Sequence, residues 1–233
     1  MWVSIAPKTF PIKISKNQSL NQIRFFNADT SLSGLELDLF NQKTPFLWDS
    51  FGKKMSLKDM NVFDKDSSVI LTIDCNSSTV GWVSKICDKP LDINKVGFYK
   101  RSDYFTPIKN KKGYLYLKKN EFYILSTKEF VKVPPWLACE MTPMDERSGE
   151  FRSHYAGFID PGWGWGKNGK GKGRPLTLEV RPFEDIVVRH GQPIAKVRFE
   201  KVAGTIDRSY DDFEDSNYKK QIGPCLAKQF ISK

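Results

Sequence analysis

Little in this chain points to a membrane, a metal or an oxidising compartment. No apolar run approaches the roughly 18 residues that a spanning helix needs. The opening MWVSIAPKTF has no basic stretch followed by an apolar core, so no secretory signal is expected, and the expected compartment is cytoplasmic. Histidine is scarce, with only His154 and His190. Cys75, Cys87, Cys139 and Cys225 lie far apart without a C-x-x-C pair. Four reduced, mostly buried thiols are therefore expected, and no metal site. The H-x-E followed by P-C-x-x-C that zinc nucleobase deaminases carry is missing too. No long stretch repeats its apolar residues with the 3.6-residue period of a helix.

What is present is a chain of 233 residues, 39% apolar, 27% charged and 13% aromatic, which fits one or two folded domains with a sizeable core. The formal net charge of +10 favours an anionic partner: nucleic acid, a membrane surface or a small polyphosphate. Charge alone does not choose among these, nor against a merely solvated basic surface. Lysine and arginine are spread along the chain, with one dense patch over residues 167–174.

The texture is mainly β. Short apolar or alternating runs recur at 69–73, 114–118, 121–126, 137–141, 155–159, 176–180, 186–189 and 194–200, separated by Gly, Pro, Asn and Asp. Strands of that length with turn residues between them predict a sandwich, jelly roll or barrel. Residues 110–113, NKKG, read as a turn, and 56–61 as a short helix.

The two ends repeat one another. DIVVRHGQPIAKVRF, residues 185–199, lies on PIKISKNQSLNQIRF, residues 11–25, without a gap. Gln192 falls on Gln18, Arg198 on Arg24 and Phe199 on Phe25. Each copy reads as strand, turn (at Gly191 or Asn17) and second strand. Two amphipathic segments can match by chance, but the shared Gln and Arg-Phe steps favour a duplicated unit. Residues 1–27 are then the remnant of a first repeat, 28–60 a linker and 61–205 the complete second unit.

Chemistry concentrates between residues 142 and 180. In YAGFIDPGW, residues 155–163, a strand runs into Asp-Pro-Gly, where Pro presets φ and Gly accepts a positive φ. Ala156 and Gly157 have almost no side chain. A flat ring could approach the backbone there, or the small residues could merely relieve crowding between strands. LTLEV, residues 176–180, reads as the returning strand of a β-hairpin. Its alternation puts Leu176, Leu178 and Val180 on one face and Thr177 and Glu179 on the other. Glu179 is then either a carboxylate aimed at a bound ring or a solvent-facing residue. Upstream, Thr142 to Gly149 (TPMDERSG) is a polar loop. Its Arg147 could grip phosphate or pair with Asp145 or Glu146.

In this order the pieces resemble the dCTP deaminases of the dUTPase superfamily. The matching residues are Arg147 and Gly149, Ala156, the I-D-P-G-W of residues 159–163, Leu178-Glu179, and the strand–turn–strand from Gly191 to Phe199. The tail YDDFEDSNYKKQIG, residues 210–223, is similar to the family's mobile C-terminal segment at Tyr210, Glu214, Asp215, Tyr218, Gln221 and Gly223. The closest likeness covers about residues 130–226. The end repeat is similar to the longer, duplicated bacterial branch, of which this chain resembles the C-terminal part.

The resemblance implies a dUTPase-like distorted jelly roll or β-barrel with few short helices, closed by a mobile tail at 206–233. It implies zinc-independent conversion of dCTP to dUTP and ammonia, with Glu179 as general base toward a water that attacks C4 of cytosine. Thr142 and Arg147 would hold the triphosphate, with its Mg2+. Ala156, Gly157, Asp160, Thr177 and Leu178 would contact the nucleoside, and Tyr210, Asn217 and Gln221 would close over it. The assembly would be a trimer-like homo-oligomer, with neither membrane nor nucleic acid as partner. The alternatives are a dUTP diphosphatase or bifunctional enzyme on the same fold, and a truncated nucleotide-binding remnant without catalysis. Three positions depart from the family pattern: Pro143 stands where Ser is usual, Phe158 where Arg is common and Asn217 where a tail Lys is expected. The tip WGKNGKGKGR, residues 165–174, is lengthened and could supply a substitute cation or simply be solvated.

Overall fold

A computed structural model describes residues 2–56, 66–109, 112–142, 144, 151–153, 157–204, 206–213, 218 and 221–231. The N-terminal stretch makes one short strand, β1 (Ile12–Lys13), and then no helix or strand before α1 (Gly34–Lys43). Ser33 starts α1 by accepting from the Glu36 amide, while Glu36 accepts from the Ser33 amide, so two otherwise unpaired donors are satisfied. Pro45 follows the helix closely, and β2 (Leu47–Trp48) comes next. From there strands dominate: β3 (Val69–Thr72), β4 (Gly81–Ser84) and β5 (Leu91–Asp92). One helical turn, α2 (Arg101–Tyr104), precedes β6 (Phe105–Ile108), β7 (Tyr114–Leu117), β8 (Tyr123–Val131) and β9 (Leu137–Thr142). Then come β10 (Phe151–Ser153), β11 (Phe158–Ile159), β12 (Arg174–Pro182), β13 (Ile186–Arg189) and β14 (Pro193–Lys201). The chain is mainly β, as the alternating runs predicted.

Two antiparallel sheets form the body. One runs β10-β12-β8-β4-β6 with β2 also on β8, and the other runs β11-β9-β14-β3. Side chains from both meet in one core: Val69, Leu71, Cys139, Val197 and Phe199 from the second sheet against Leu47, Val131 and Leu176 from the first. The Phe46 ring stacks on Phe199 at 4.6 Å. Leu125, Leu178 and Val180 extend the interior toward Leu117 and Val188 of the small β13-β7 pair. The sheets are also tied by one buried carboxylate. Glu129 of β8 accepts from the Thr72 amide at 2.7 Å and from its hydroxyl at 2.6 Å, and burial holds its pKa above the usual carboxylate range.

Two expectations need revision. Among the described residues the hairpin expected from residue 153 to 180 pairs at its base, Ser153 opposite Val180, and does not continue as one ladder. β11 pairs with β9, β10 pairs with β12, and the D-P-G turn therefore carries the chain from one sheet toward the other. Alternation specifies which face a strand presents but not which neighbour it joins, so the partner was open. The stretch 28–60, expected as a linker, brings Leu32, Leu37, Phe46 and Leu47 into the main core, each at most 2% exposed. The helix expected over 56–61 lies almost wholly outside the described residues, as does half of the turn at 110–113.

The described parts of the tail are docked. Leu226 and Phe230 pack with Tyr104 and Phe105, and the Trp82 indole donates to the Pro224 carbonyl at 3.3 Å. All four cysteines are free. Among the described residues no helix is long and apolar enough to cross a membrane.

Candidate active site

The D-P-G turn is held from two sides. Gly162 donates to the Val133 carbonyl at 3.1 Å, and Val133 donates to that of Trp163 at 2.8 Å, which pins the turn just beyond β8. From the tail, the Tyr210 amide donates to the Pro161 carbonyl at 2.8 Å. Gly162 has φ +87°, and a Cβ there would sit 2.4 Å from the Cβ of Ser209. Glycine is thus required twice over, by backbone conformation and by the closeness of the tail.

Between this turn and β12 lies a cavity of about 290 Å³. β12 buries Leu176, Leu178 and Val180 and turns Thr177 and Glu179 the other way, as its alternation predicted. Glu179, Thr177 and Asp160 line the cavity together with Gly157, Phe158 and Met141. Tyr210, Tyr218 and Gln221 of the tail complete its wall, with Trp163 behind the turn. Gln221 is nearly buried and donates to the Thr177 hydroxyl at 2.7 Å and to the Pro175 carbonyl at 3.0 Å. The Cys225 amide donates to the same hydroxyl at 3.2 Å. The tail is therefore fastened to β12 at the position beside Glu179.

The electrostatics follow from burial. Asp160 is half-buried, and desolvation raises its pKa against an opposing hydrogen bond from the Gln22 side chain. Tyr218 is pushed up to about 12, by burial first and then by the nearby charges of Cys225 and Glu179. Tyr210 is raised as well, chiefly by burial. Arg174 is the buried cation here. It pairs with Asp211, stands over the Trp163 ring at 5.2 Å, and has its charge balanced within the protein.

The cavity brings together six of the candidate residues, Gly157, Asp160, Thr177, Glu179, Tyr210 and Gln221. Leu178 does not join them, because its side chain is 0% exposed in the core on the opposite face. Thr142 ends β9, one residue past the lining Met141, and its buried hydroxyl has no partner among the described residues. Arg147, Ala156 and Asn217 lie outside the described residues. At Gly157 the crowding explanation has direct support, since a Cβ would approach Met141 Cβ to 2.6 Å. The long tip beyond the turn is docked by Lys132, which donates to the Gly169 carbonyl at 2.7 Å and stands over Trp165 at 4.6 Å. Lys167, Lys170 and Lys172 are exposed and do not line the cavity. Among the described residues no three His, Cys, Asp or Glu side chains converge as metal ligands.

Sequence reasoning passed over Trp163 and Tyr218. Both stood inside matched motifs, so aromatic residues flanking the turn and the tail glutamine were a usable signal.

Known proteins resemble this chain in sequence and fold. The family model for the 2'-deoxycytidine 5'-triphosphate deaminase (DCD) C-terminal domain matches residues 51–230. The crystal structure of 2'-deoxycytidine 5'-triphosphate deaminase from Agrobacterium tumefaciens is similar, with a TM-score of 0.62 and 28% identity over 77% of this chain. The match covers 50% of that protein, so the chain spans half of its length. No curated protein sequence matches.

Proposed function

The chain belongs to the 2'-deoxycytidine 5'-triphosphate deaminase family through the C-terminal domain at residues 51–230, and from that premise we propose that it converts dCTP to dUTP and ammonia. The observation that carries the reading is Glu179, a carboxylate on a rigid strand, sharing a small cavity with Asp160 under the tyrosines of the tail. In the proposed reaction Glu179 takes a proton from water as the oxygen bonds to C4 of cytosine. The C4–amino bond then breaks, and the nitrogen leaves as ammonia after receiving that proton. A base on a strand needs no reorganisation to reach its water, and a closed tail keeps bulk solvent from the ring. Zinc has no part in this scheme.

Asp160 and Thr177 are proposed as nucleoside contacts, with Gly157 offering backbone. Thr142 and the loop containing Arg147 are proposed on the triphosphate side, Ala156 beside the nucleoside, and Tyr210, Asn217 and Gln221 as the closing segment. Mg2+ would arrive with the triphosphate as part of the substrate. The working assembly is proposed as a trimer-like homo-oligomer with sites between subunits.

The test is incubation of the purified chain with dCTP and Mg2+, following ammonia, dUTP and dUMP separately. Ammonia and dUTP in equal amounts support the reading. Release of dUMP moves the assignment to a dUTP diphosphatase or bifunctional enzyme, and no product at all reduces this chain to a nucleotide-binding remnant. Glu179→Gln should lower turnover on the order of a thousandfold while dCTP still binds, as expected for loss of a general base. Undiminished turnover would sink the role given to Glu179.

A further inference from the structure

We propose that the chain carries a second ligand site, a groove beside the docked tail that takes a purine nucleoside triphosphate. Its occupant holds the tail down over the catalytic cavity, a coupling that rests on the nucleotide-site reading above.

The groove has a volume of about 740 Å³, against about 290 Å³ for the cavity, and the two share no lining residue. That volume lies within the range of small-molecule sites. Its charge is one-sided. Arg101 of α2, Lys128 of β8 and His190 just after β13 all line it. The Arg101 guanidinium stands over the Trp82 ring at 5.7 Å, and its Nε is buried without a partner. Neither that guanidinium nor the Lys128 ammonium hydrogen-bonds or pairs with an acid among the described residues. His190 Nδ1 accepts from the Cys75 amide at 3.1 Å, which places the ring proton on Nε2, a donor that also has no partner among the described residues. The one acid of the lining, Asp74, stands 3.4 Å from the same Nδ1 and already accepts from the Asn76 amide at 2.8 Å and from the Ser77 hydroxyl. Three donors facing one satisfied carboxylate suit an anion with several oxygens, and an Arg fork beside a Lys point charge suits phosphate.

The rim beside these charges is apolar. Phe51 and Ile222 both line the groove and are almost wholly exposed. A flat ring laid against them removes that surface from water. Phosphate and ring together specify a nucleotide, and the larger volume favours a purine over the pyrimidine proposed for the cavity.

The two sites meet across the tail. Ile222, Gly223 and Pro224 line the groove. Gln221 just before them and Cys225 just after both donate to the Thr177 hydroxyl, at 2.7 and 3.2 Å, and Thr177 lines the cavity. Trp82, also at the groove, donates to the Pro224 carbonyl at 3.3 Å. The groove therefore has this shape only while the tail is docked. A ligand in it favours the docked tail, and closure over a substrate favours that ligand in turn.

Calorimetric titration of the whole chain with ATP tests the site. One ATP should bind per chain, and inorganic triphosphate should bind roughly tenfold more weakly for want of a stacked ring. Arg101→Gln and Lys128→Gln should each weaken ATP about tenfold, the range for one hydrogen bond to a charged group. Lys128 is exposed on its strand, so its variant stays informative even where Arg101→Gln disturbs folding. Absence of ATP binding, or binding indifferent to both variants, overturns the site. Equal binding of inorganic triphosphate overturns the nucleotide class, and a single-stranded oligonucleotide that binds more tightly than ATP overturns the assignment to a free nucleotide. Simple competition between ATP and dCTP overturns the separateness of groove and cavity. For the coupling, saturating ATP should raise dCTP affinity about fivefold in wild type and leave it unchanged in the double variant. ATP should also slow hydrogen exchange of the Cys225 amide, a readout that needs no dCTP. Unchanged exchange overturns the coupling, as does unchanged dCTP affinity in a chain that binds dCTP. Should exchange slow while dCTP fails to bind at all, the groove stands and the catalytic reading is what fails.

Discussion

Residues 11–25 and 185–199 align without a gap, and they use that shared pattern differently. The turns are alike: Asn17 and Gly191 occupy the same position with φ +65° and +78°. Gln18 donates to Ser15 at 3.2 Å, and Gln192 to Arg189 at 2.9 Å. The first strands also begin at matching residues, Ile12 and Ile186. The second strands part company. β14 lies between β9 and β3, and its Val197 and Phe199 are 0% and 1% exposed. Their counterparts Ile23 and Phe25 are 56% and 93% exposed, on a stretch without regular structure. A turn is closed by its own few residues, so it forms wherever those residues occur. A strand needs hydrogen-bonding neighbours and a facing sheet, so the same letters form one only where such neighbours are present.

The sharpest way to break this comparison is to truncate the paired aromatics. Phe199→Ala removes a ring stacked on Phe46 in the main core and should cost about 3–5 kcal/mol in urea unfolding. Phe25→Ala should stay within about 0.5 kcal/mol, as expected for an exposed side chain. Comparable losses would mean that the first copy is packed in solution as tightly as the second.

The turns sharpen the comparison from the other side, because there the copies should behave alike. A Cβ at Gly191 would meet nothing within 4 Å, so Gly191→Ala tests backbone conformation alone. It should cost about 1–2 kcal/mol, the left-handed penalty, while Gly191→Asn should recover much of it, since Asn holds that conformation at position 17. Equal stability of the Ala and Asn variants would refute the shared turn geometry.

The same division explains how much of the molecule was legible. The β class, the strands around 69–73, 114–118, 137–141 and 186–200, and the faces of β12 follow from period-two alternation, which local sequence carries. The D-P-G turn and the outward face of Glu179 were likewise readable. The pairing of β11 with β9 was not, because partner choice depends on distant residues. Nor was the burial of Leu37 and Phe46, which lie in a stretch whose pattern suggested a connection and whose core contacts come from strands elsewhere. In the site, Thr177, Glu179 and the turn were local, while Tyr218 reaches the cavity by long-range docking. Leu178 faces the core, as the alternation has it. It adjoins Glu179 in the motif, and neighbours in a strand face opposite ways.

The smallest expected effect concerns the ion-pair tie between the first copy and strands β9 and β14, Arg24 between Glu140 and Glu200. Burial raises the pKa of Glu200 above its ordinary 4.5, and Arg24 pulls it down. Arg24→Met leaves the two carboxylates facing each other with only the weaker pull of Arg198 on Glu200 in place of a direct ion pair, so the folded pKa of Glu200 must rise further. An acid whose pKa is raised by folding holds a proton that the unfolded chain has already released. Stability is therefore lost as pH rises from the unfolded value through the folded one. Arg24→Met widens that window, so its cost should be slight near pH 4 and grow to about 1 kcal/mol near neutrality, a modest value because Arg24 and Glu140 are partly exposed. Urea midpoints for wild type and variant at both pH values measure this. A cost that does not change with pH would show that Arg24 acts by packing on Phe158, with its charge incidental. The first copy would then be held to the body by that packing and by the pairing of β1 with β5.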